Sequence, residues 1–234
     1  MEKKFLNVMQ EKKFVLVISP PCQSVEYIKA AIEGGADAVK LHCNVTNLAS
    51  GNKFGSFTEE KPLLQEAVRL AGNDALIGLV PGADQDFISE DELREIEEMG
   101  VSFFSVYDKH APPFLMESKI LTKTIAIGHD YDSMLLEALN LDFDVDVIEA
   151  SFMQASDYGA ALNYQDILRY RYIAACLHQP VMVPSQKRIK PRDVRHLYEA
   201  GCKAVMIGAM AMDGQSPDAC LRAAAAFREA IEKL

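Results

Sequence analysis

Residues 181–214 read VMVPSQKRIKPRDVRHLYEAGCKAVMIGAMAMDG. A short apolar run is followed by a polar turn, an amphipathic helical stretch, a second apolar run ending at Ile207 and Gly208, and a small-residue turn that opens another helix. Strand, turn, helix, strand is one unit of a β/α fold, and the phrase joining its helix to its second strand recurs. Glu33-Gly-Gly-Ala-Asp-Ala-Val, Glu98-Met-Gly-Val-Ser-Phe-Phe, Asn140-Leu-Asp-Phe-Asp-Val-Asp-Val and Glu199-Ala-Gly-Cys-Lys-Ala-Val all pass from a helix end through a tight turn into an apolar strand.

Outward from this unit, apolar runs predict further strands at 14–19, 36–43, 75–80, 102–107, 122–127 and 145–151. Helical patterns are expected at 25–34, 62–71, 89–99, 133–139, 164–177 and 217–234, with a short helix after Pro112-Pro113. The 89–99 helix has a start signal: Ser89 and Glu92 have capping-box spacing, and Ile88 and Leu93 are placed as a hydrophobic staple. Eight strands alternating with helices predict an α/β fold, a single (β/α)8 TIM barrel of phosphate-binding type spanning 1–234. No G-x-G-x-x-G follows the first strand, which speaks against a dinucleotide site.

Composition narrows the partners. The chain has 234 residues, 49% hydrophobic and 25% charged, as expected of a globular enzyme. A net charge of −10 argues against nucleic-acid and membrane partners. The start Met1-Glu-Lys-Lys carries no apolar leader and no later run is long enough to span a bilayer, so a cytoplasmic location is expected. Five Cys without C-x-x-C spacing suggest reduced thiols. A homo-oligomer is expected from the fold class alone.

Barrel chemistry sits at the C-terminal strand ends. On the second strand Lys40, His42 and Asn44 alternate with Val39, Leu41 and Cys43, so the polar groups share a face that is costly unless it opens on a polar cavity. Glu149 and Ser151 share a face of the sixth strand and offer Lys40 a partner. The fourth strand ends in Tyr107-Asp108-Lys109-His110 and the fifth in Gly128-His129-Asp130. His42, His110, His129, Asp108 and Glu149 form no local ligand motif, so neither a metal nor another cofactor is expected; His178 and His196 read as surface residues. Ser185, Gln186, Lys187, Gly208 and Ala209 are the candidates for a phosphate cup, where helix-start N–H groups and the helix dipole attract an anion. The loop 44–58, with Gly51, Gly55, Phe54 and Phe57, is long enough to be a lid.

A family resemblance rests on residues spread over most of the chain. Glu33 to Lys40, Leu76-Ile-Gly-Leu79, Tyr107-Asp108, Asp142-Phe-Asp144, Pro180-Val-Met182 with Arg188-Ile189, and the ending Ala200-Gly-x-x-Ala-Val-x-Ile-Gly208 resemble N-acetylmannosamine-6-phosphate 2-epimerases, of the ribulose-phosphate-binding barrel class. The resemblance implies a barrel that binds a sugar phosphate and moves a proton beside a carbonyl or an amide-bearing carbon. It sets Lys40 as a basic substrate-binding residue and Asp108 as an acid after strand four. The family's catalytic Lys after strand three is replaced by the run Val80-Pro81-Gly82, and its catalytic Glu after strand seven by Ser185-Gln186-Lys187. Neither replacement supplies a carboxylate base. The chemistry is therefore expected at Lys40, His42, Asp108 and Glu149. One reading is an isomerase or epimerase in which Glu149 or Asp108 takes the proton and Lys40 or His42 steadies the enolate. The alternatives are a Schiff-base lyase using Lys40 or Lys187, and a barrel that binds a phosphometabolite without chemistry.

Overall fold

A computed structural model describes residues 3–84 and 86–234. Eight parallel strands close into a barrel: β1 (Val15–Ile18), β2 (Ala38–His42), β3 (Leu76–Val80), β4 (Phe103–Tyr107), β5 (Thr122–Ala126), β6 (Val147–Glu149), β7 (Val181–Pro184) and β8 (Ala204–Ile207). Each pairs with the next, and β8 returns to β1 with Val15 opposite Ala204 and Ile18 opposite Ile207. The outer ring holds α2 (Val25–Glu33), α3 (Phe57–Ala71), α4 (Glu90–Met99), α5 (Ser133–Leu141), α6 (Tyr164–Cys176), α7 (Val194–Glu199) and α8 (Pro217–Glu232), while a single 3-10 turn, Pro113–Glu117, stands between β4 and β5. Among the described residues no helix is long and apolar enough to cross a membrane.

Several boundaries move from those expected, each for a local reason. Ser56 caps α3 in a capping box with Glu59, so that helix begins at Phe57, ahead of Pro62, and Phe57 is a buried helical residue outside the loop. The Ser89 and Glu92 box forms as expected, with Ile88 and Leu93 both buried. The helix following β7 is only six residues, because Pro191–Asp193 forms a 3-10 turn before it. After β8 the small-residue turn is the 3-10 segment Ala209–Ala211; the long helix waits for its cap at Ser216.

One element was not expected from the sequence. Helix α1 (Lys4–Glu11) lies across the N-terminal end of the barrel with Phe5 and Met9, one turn apart, fully buried. They pack on the first inward residues of the strands, among them Val15, Ala38, Phe103, Val147 and Ala204. Phe5 and Phe103 stack with ring centroids 4.0 Å apart. Phe103 can lie across the barrel because its register partner is Gly78; a Cβ there would stand 2.1 Å from the Phe103 ring. Lys3 ties the helix to Asp146 at 2.7 Å. On the same end, Asp37 accepts from the Leu16 N–H at 2.7 Å and pairs with Arg228 at 2.7 Å, which binds the last helix to the barrel.

The base of the barrel is thus filled by apolar side chains. Phe5→Ala is expected to lower unfolding free energy by about 3–5 kcal/mol. Gly78→Ala should cost about 1–3 kcal/mol through overpacking against Phe103. Urea denaturation checks both, and Phe103→Leu added to Gly78→Ala should recover part of the second loss.

Candidate active site

Above the apolar base the inward positions change character. Strand alternation turns Lys40 and His42 of β2, Ser105 and Tyr107 of β4, and Glu149 of β6 into the barrel. Lys40 is the register partner of Gly78, so no neighbouring side chain from β3 obstructs it. Its ammonium crosses to Glu149, with Nζ 3.0 Å from Oε2, and both side chains are buried. Ser105 Oγ donates to the same carboxylate oxygen at 2.5 Å, and Ser151 Oγ donates to Oε1 at 2.7 Å. Burial alone would push the Glu149 carboxyl up; the Lys40 charge and the hydrogen bonds from Ser105, Ser151 and Lys40 together hold it below the usual carboxylate range.

These groups form the floor of a cavity of about 640 Å³ at the C-terminal strand ends. That is the size of a small-molecule site. Tyr107, Ser151, Tyr158, Ser185, Gln186, Gly208 and Ala209 line its sides. Gln186 braces one wall: its Oε1 accepts from Met153 N–H at 3.0 Å, and its Nε2 donates to Ser151 O at 3.0 Å and to the Tyr158 hydroxyl at 2.7 Å. Burial raises the phenol pKa of both Tyr107 and Tyr158, so both stay protonated at neutral pH.

Residues 44–56 roof the other side. Thr46 and Lys53 form an antiparallel bridge, Asn52 Nδ2 donates to Pro21 O at 2.6 Å, and the Gly55 N–H donates to Glu60 at 3.0 Å. Phe54 stacks on the His42 ring with centroids 4.7 Å apart. His42 Nε2 lies 3.3 Å from Asn47 Nδ2, and its Nδ1 has no partner among the described residues. Burial and then the Lys40 charge depress the imidazole to about 3. His42 is therefore a neutral ring at physiological pH, and Asn47 as donor to Nε2 leaves the proton on Nδ1.

Of the residues singled out in the sequence, Lys40, His42, Glu149, Ser185, Gln186, Gly208 and Ala209 meet at this cavity. Two do not. Lys187 turns away and its Nζ pairs with buried Asp166 of α6 at 2.8 Å. Asp108 lies past the end of β4, where its main chain bonds Ala126 O, and is outside the lining. Lys109 and His129 gather around exposed Asp130, each at 3.5 Å, while His110 lines the cavity and meets Asp84 at 3.2 Å. Lys187 therefore adds no charge to the cup. The cup consists of Ser185 Oγ, which accepts from the Gly208 N–H at 2.8 Å, and the Gly208-Ala209 main chain; a Cβ on Gly208 would stand 2.8 Å from Ser19 O. Among the described residues no three His, Cys, Asp or Glu side chains are grouped to hold a metal ion. All five cysteines are free. Sequence reasoning missed Ser105 and Tyr158. Ser105 was visible as an alternate neighbour of Tyr107 on one strand face, whereas Tyr158 comes from a loop that no pattern announces.

No protein-family model matches the chain, and no curated protein matches it in sequence. Its likeness is to solved structures, and it is one of fold. Thiamine phosphate pyrophosphorylase from Pyrococcus furiosus superposes with a TM-score of 0.64 at 16% identity, over 95% of this chain and 97% of that one. Phosphoribosyl anthranilate isomerase from Thermus thermophilus gives 0.63 at 14% identity, over 92% and 99%. (S)-3-O-geranylgeranylglyceryl phosphate synthase from Thermoplasma acidophilum, in complex with sn-glycerol-1-phosphate, gives 0.60 at 16% identity, over 99% and 98%. All three cover nearly the full length of both chains, in accord with the closed eight-stranded β/α barrel.

Two measurements test the site's electrostatics. Lys40→Met leaves Glu149 buried without its counter-charge and should cost about 3–5 kcal/mol, with the double variant Lys40→Met, Glu149→Gln costing less than the two singles together. For His42, the folded value of about 3 lies below the unfolded value near 6.5, so only the unfolded chain takes the proton between them. Its contribution to stability is complete above that upper value and lost as pH falls toward the lower one. Between neutral pH and pH ~5, His42→Gln should unfold with a shallower pH slope than the parent, by up to about 1.4 kcal/mol per pH unit.

Proposed function

We propose that the protein is an enzyme that moves a proton on a carbon next to a carbonyl of a small phosphorylated, sugar-phosphate-like substrate, as an isomerase or epimerase. The observation that carries this reading is the buried Lys40 and Glu149 pair, 3.0 Å apart on the floor of the cavity at the C-terminal strand ends. A substrate carbonyl oxygen placed at Lys40 would compete with Glu149 for the ammonium. The carboxylate would then lose its main counter-charge in a buried setting, its basicity would rise, and it could take the proton from the adjacent carbon. The electron pair left on carbon moves to the oxygen, where Lys40 offsets the new negative charge. Return of the proton to a neighbouring carbon gives isomerisation. Return to the opposite face gives epimerisation and needs a second donor, a role open to the protonated phenol of Tyr158, held on the wall by Gln186.

The same pairing favours proton transfer over Schiff-base chemistry, since an imine needs a neutral amine and Lys40 is engaged by a carboxylate. Residues 44–56 act in this reading as a lid that keeps water from the enolate, with Phe54 on His42 as its latch. A phosphate would lie against Ser185, Gly208 and Ala209 and take a hydrogen bond from the Ser185 hydroxyl, whose oxygen already accepts from the Gly208 N–H. The sequence likeness to N-acetylmannosamine-6-phosphate 2-epimerases supports the ligand class alone, since the catalytic Lys and Glu of that family are replaced here, and the barrels that share the fold carry names with phosphorylated compounds.

Incubating the protein in D2O with aldose, ketose and N-acylated amino sugar phosphates should place deuterium on the carbon beside the carbonyl of at least one of them. Glu149→Gln should slow that exchange at least about 100-fold. Borohydride should leave no lysine adduct. A trapped adduct would move the assignment to a Schiff-base lyase, and a panel without exchange or turnover would remove the enzymatic reading.

A further inference from the structure

We propose that the face formed by α5 and α6 is the interface of a two-fold dimer of this chain. Among the described residues seven large hydrophobic side chains are exposed, and six of them lie on this one face: Met134, Leu141, Phe143, Tyr164, Leu168 and Tyr172. The seventh, Leu48, belongs to the loop over the cavity. Tyr164, Leu168 and Tyr172 follow at intervals of four and so stack along one side of α6. Met134 and Leu141 occupy the neighbouring α5, and Phe143 just beyond it meets the His178 ring at 5.2 Å at the far end of α6. The patch therefore runs the length of both helices.

Its area suits a protein partner. The exposures run from 44% for Leu168 to 84% for Phe143. At roughly 200 Å² for a fully exposed side chain of this size, the six present on the order of 800 Å², about one partner's share of a standard interface and more than a lone monomer usually leaves open.

Charge selects a second copy as that partner. Residues 130–146 contain no Lys or Arg, and Asp132, Glu137 and Asp142 are exposed around α5. On α6 the acid is Asp166, buried against Lys187, and Arg171 is exposed, while Arg169 turns inward with its guanidinium 4.1 Å from the centre of the Phe152 ring. The α5 half of the face is thus acidic and the α6 half carries the exposed cation Arg171, with apolar side chains on both. A two-fold axis through the face lays each acidic half on the other copy's α6 half, which is the self-complementarity that an isologous interface requires. The acidic half also disfavours a nucleic acid or an anionic membrane on this face.

Light scattering and sedimentation of the full chain at micromolar concentration should give twice 25.9 kDa. The double variant Leu168→Asp, Tyr172→Asp should run as a monomer with an unchanged far-ultraviolet spectrum, because both positions are exposed. Leu48→Asp should remain a dimer. Arg171→Glu should weaken association roughly tenfold, a loss of about 1.4 kcal/mol. In the parent chain, amide exchange along 164–176 should slow as protein concentration rises. The proposal fails if the parent sediments at 25.9 kDa, which would leave the face to another protein, if the double variant stays dimeric, or if α6 exchange ignores concentration while a dimer forms.

Discussion

An ammonium and a carboxylate placed inside a barrel constrain everything around them. Each ion loses several kcal/mol of hydration on burial, and their mutual attraction compensates only with good geometry and further hydrogen bonds. The residues about Lys40 and Glu149 answer that requirement. Gly78 leaves room beside the lysine, Ser105 and Ser151 satisfy both carboxylate oxygens, and the strand ends open on a polar cavity. The opposite end must then supply the apolar burial. There Phe103 fills the space over Gly78 and α1 closes the base with Phe5 and Met9. One glycine thus serves both halves, admitting the charge pair above and the aromatic below.

What the sequence reveals follows the same division. The barrel was legible because each β/α corner repeats a turn followed by an apolar run, and because fully buried parallel strands leave continuous Val, Ile and Leu stretches. The floor of the site was legible through alternation: Lys40 with His42, and Glu149 with Ser151, share strand faces, and a strand face in a barrel points either in or out. Past the strand ends that rule lapses. Asp108 and Lys187 lie there, and the chain's path after the last residue of β4 or β7 decided where they went. For Lys187 the deciding partner was Asp166, the N3 residue in the capping box of α6, which accepts its ammonium at 2.8 Å. Helix α1 escaped notice because its four apolar residues, Phe5, Leu6, Val8 and Met9, fall within five positions, too short a run to define a helical stripe. Its partner surface is assembled only when the barrel closes.

The loop over the cavity connects burial with protonation. His42 is kept neutral by burial to which Phe54 contributes, so the loop's position and the ring's charge state are linked. Moving Phe54 off the ring would let water reach Nδ1 and ease protonation; a protonated ring would in turn resist being covered again, next to Lys40. At neutral pH the covered, uncharged arrangement is favoured. A neutral His beside a charged Lys also leaves the Lys40 ammonium facing the Glu149 carboxylate without a second positive charge from that ring.

The glutamine at 186 is matched to the charge pair on β2 and β6. Its amide accepts from Met153 N–H while donating to Ser151 O and to the Tyr158 hydroxyl, and so fastens the loop following β6 to the end of β7. A carboxylate at this position could keep the first bond. It would face the Ser151 carbonyl with no proton to give, and it would stand near Glu149 as a like charge in a buried setting. Gln186 is thus the residue type that the wall permits once Glu149 occupies the floor. With the carboxylate on β6, the end of β7 holds the loop that carries Tyr158 and sets Ser185 against the Gly208 N–H at the cavity's edge.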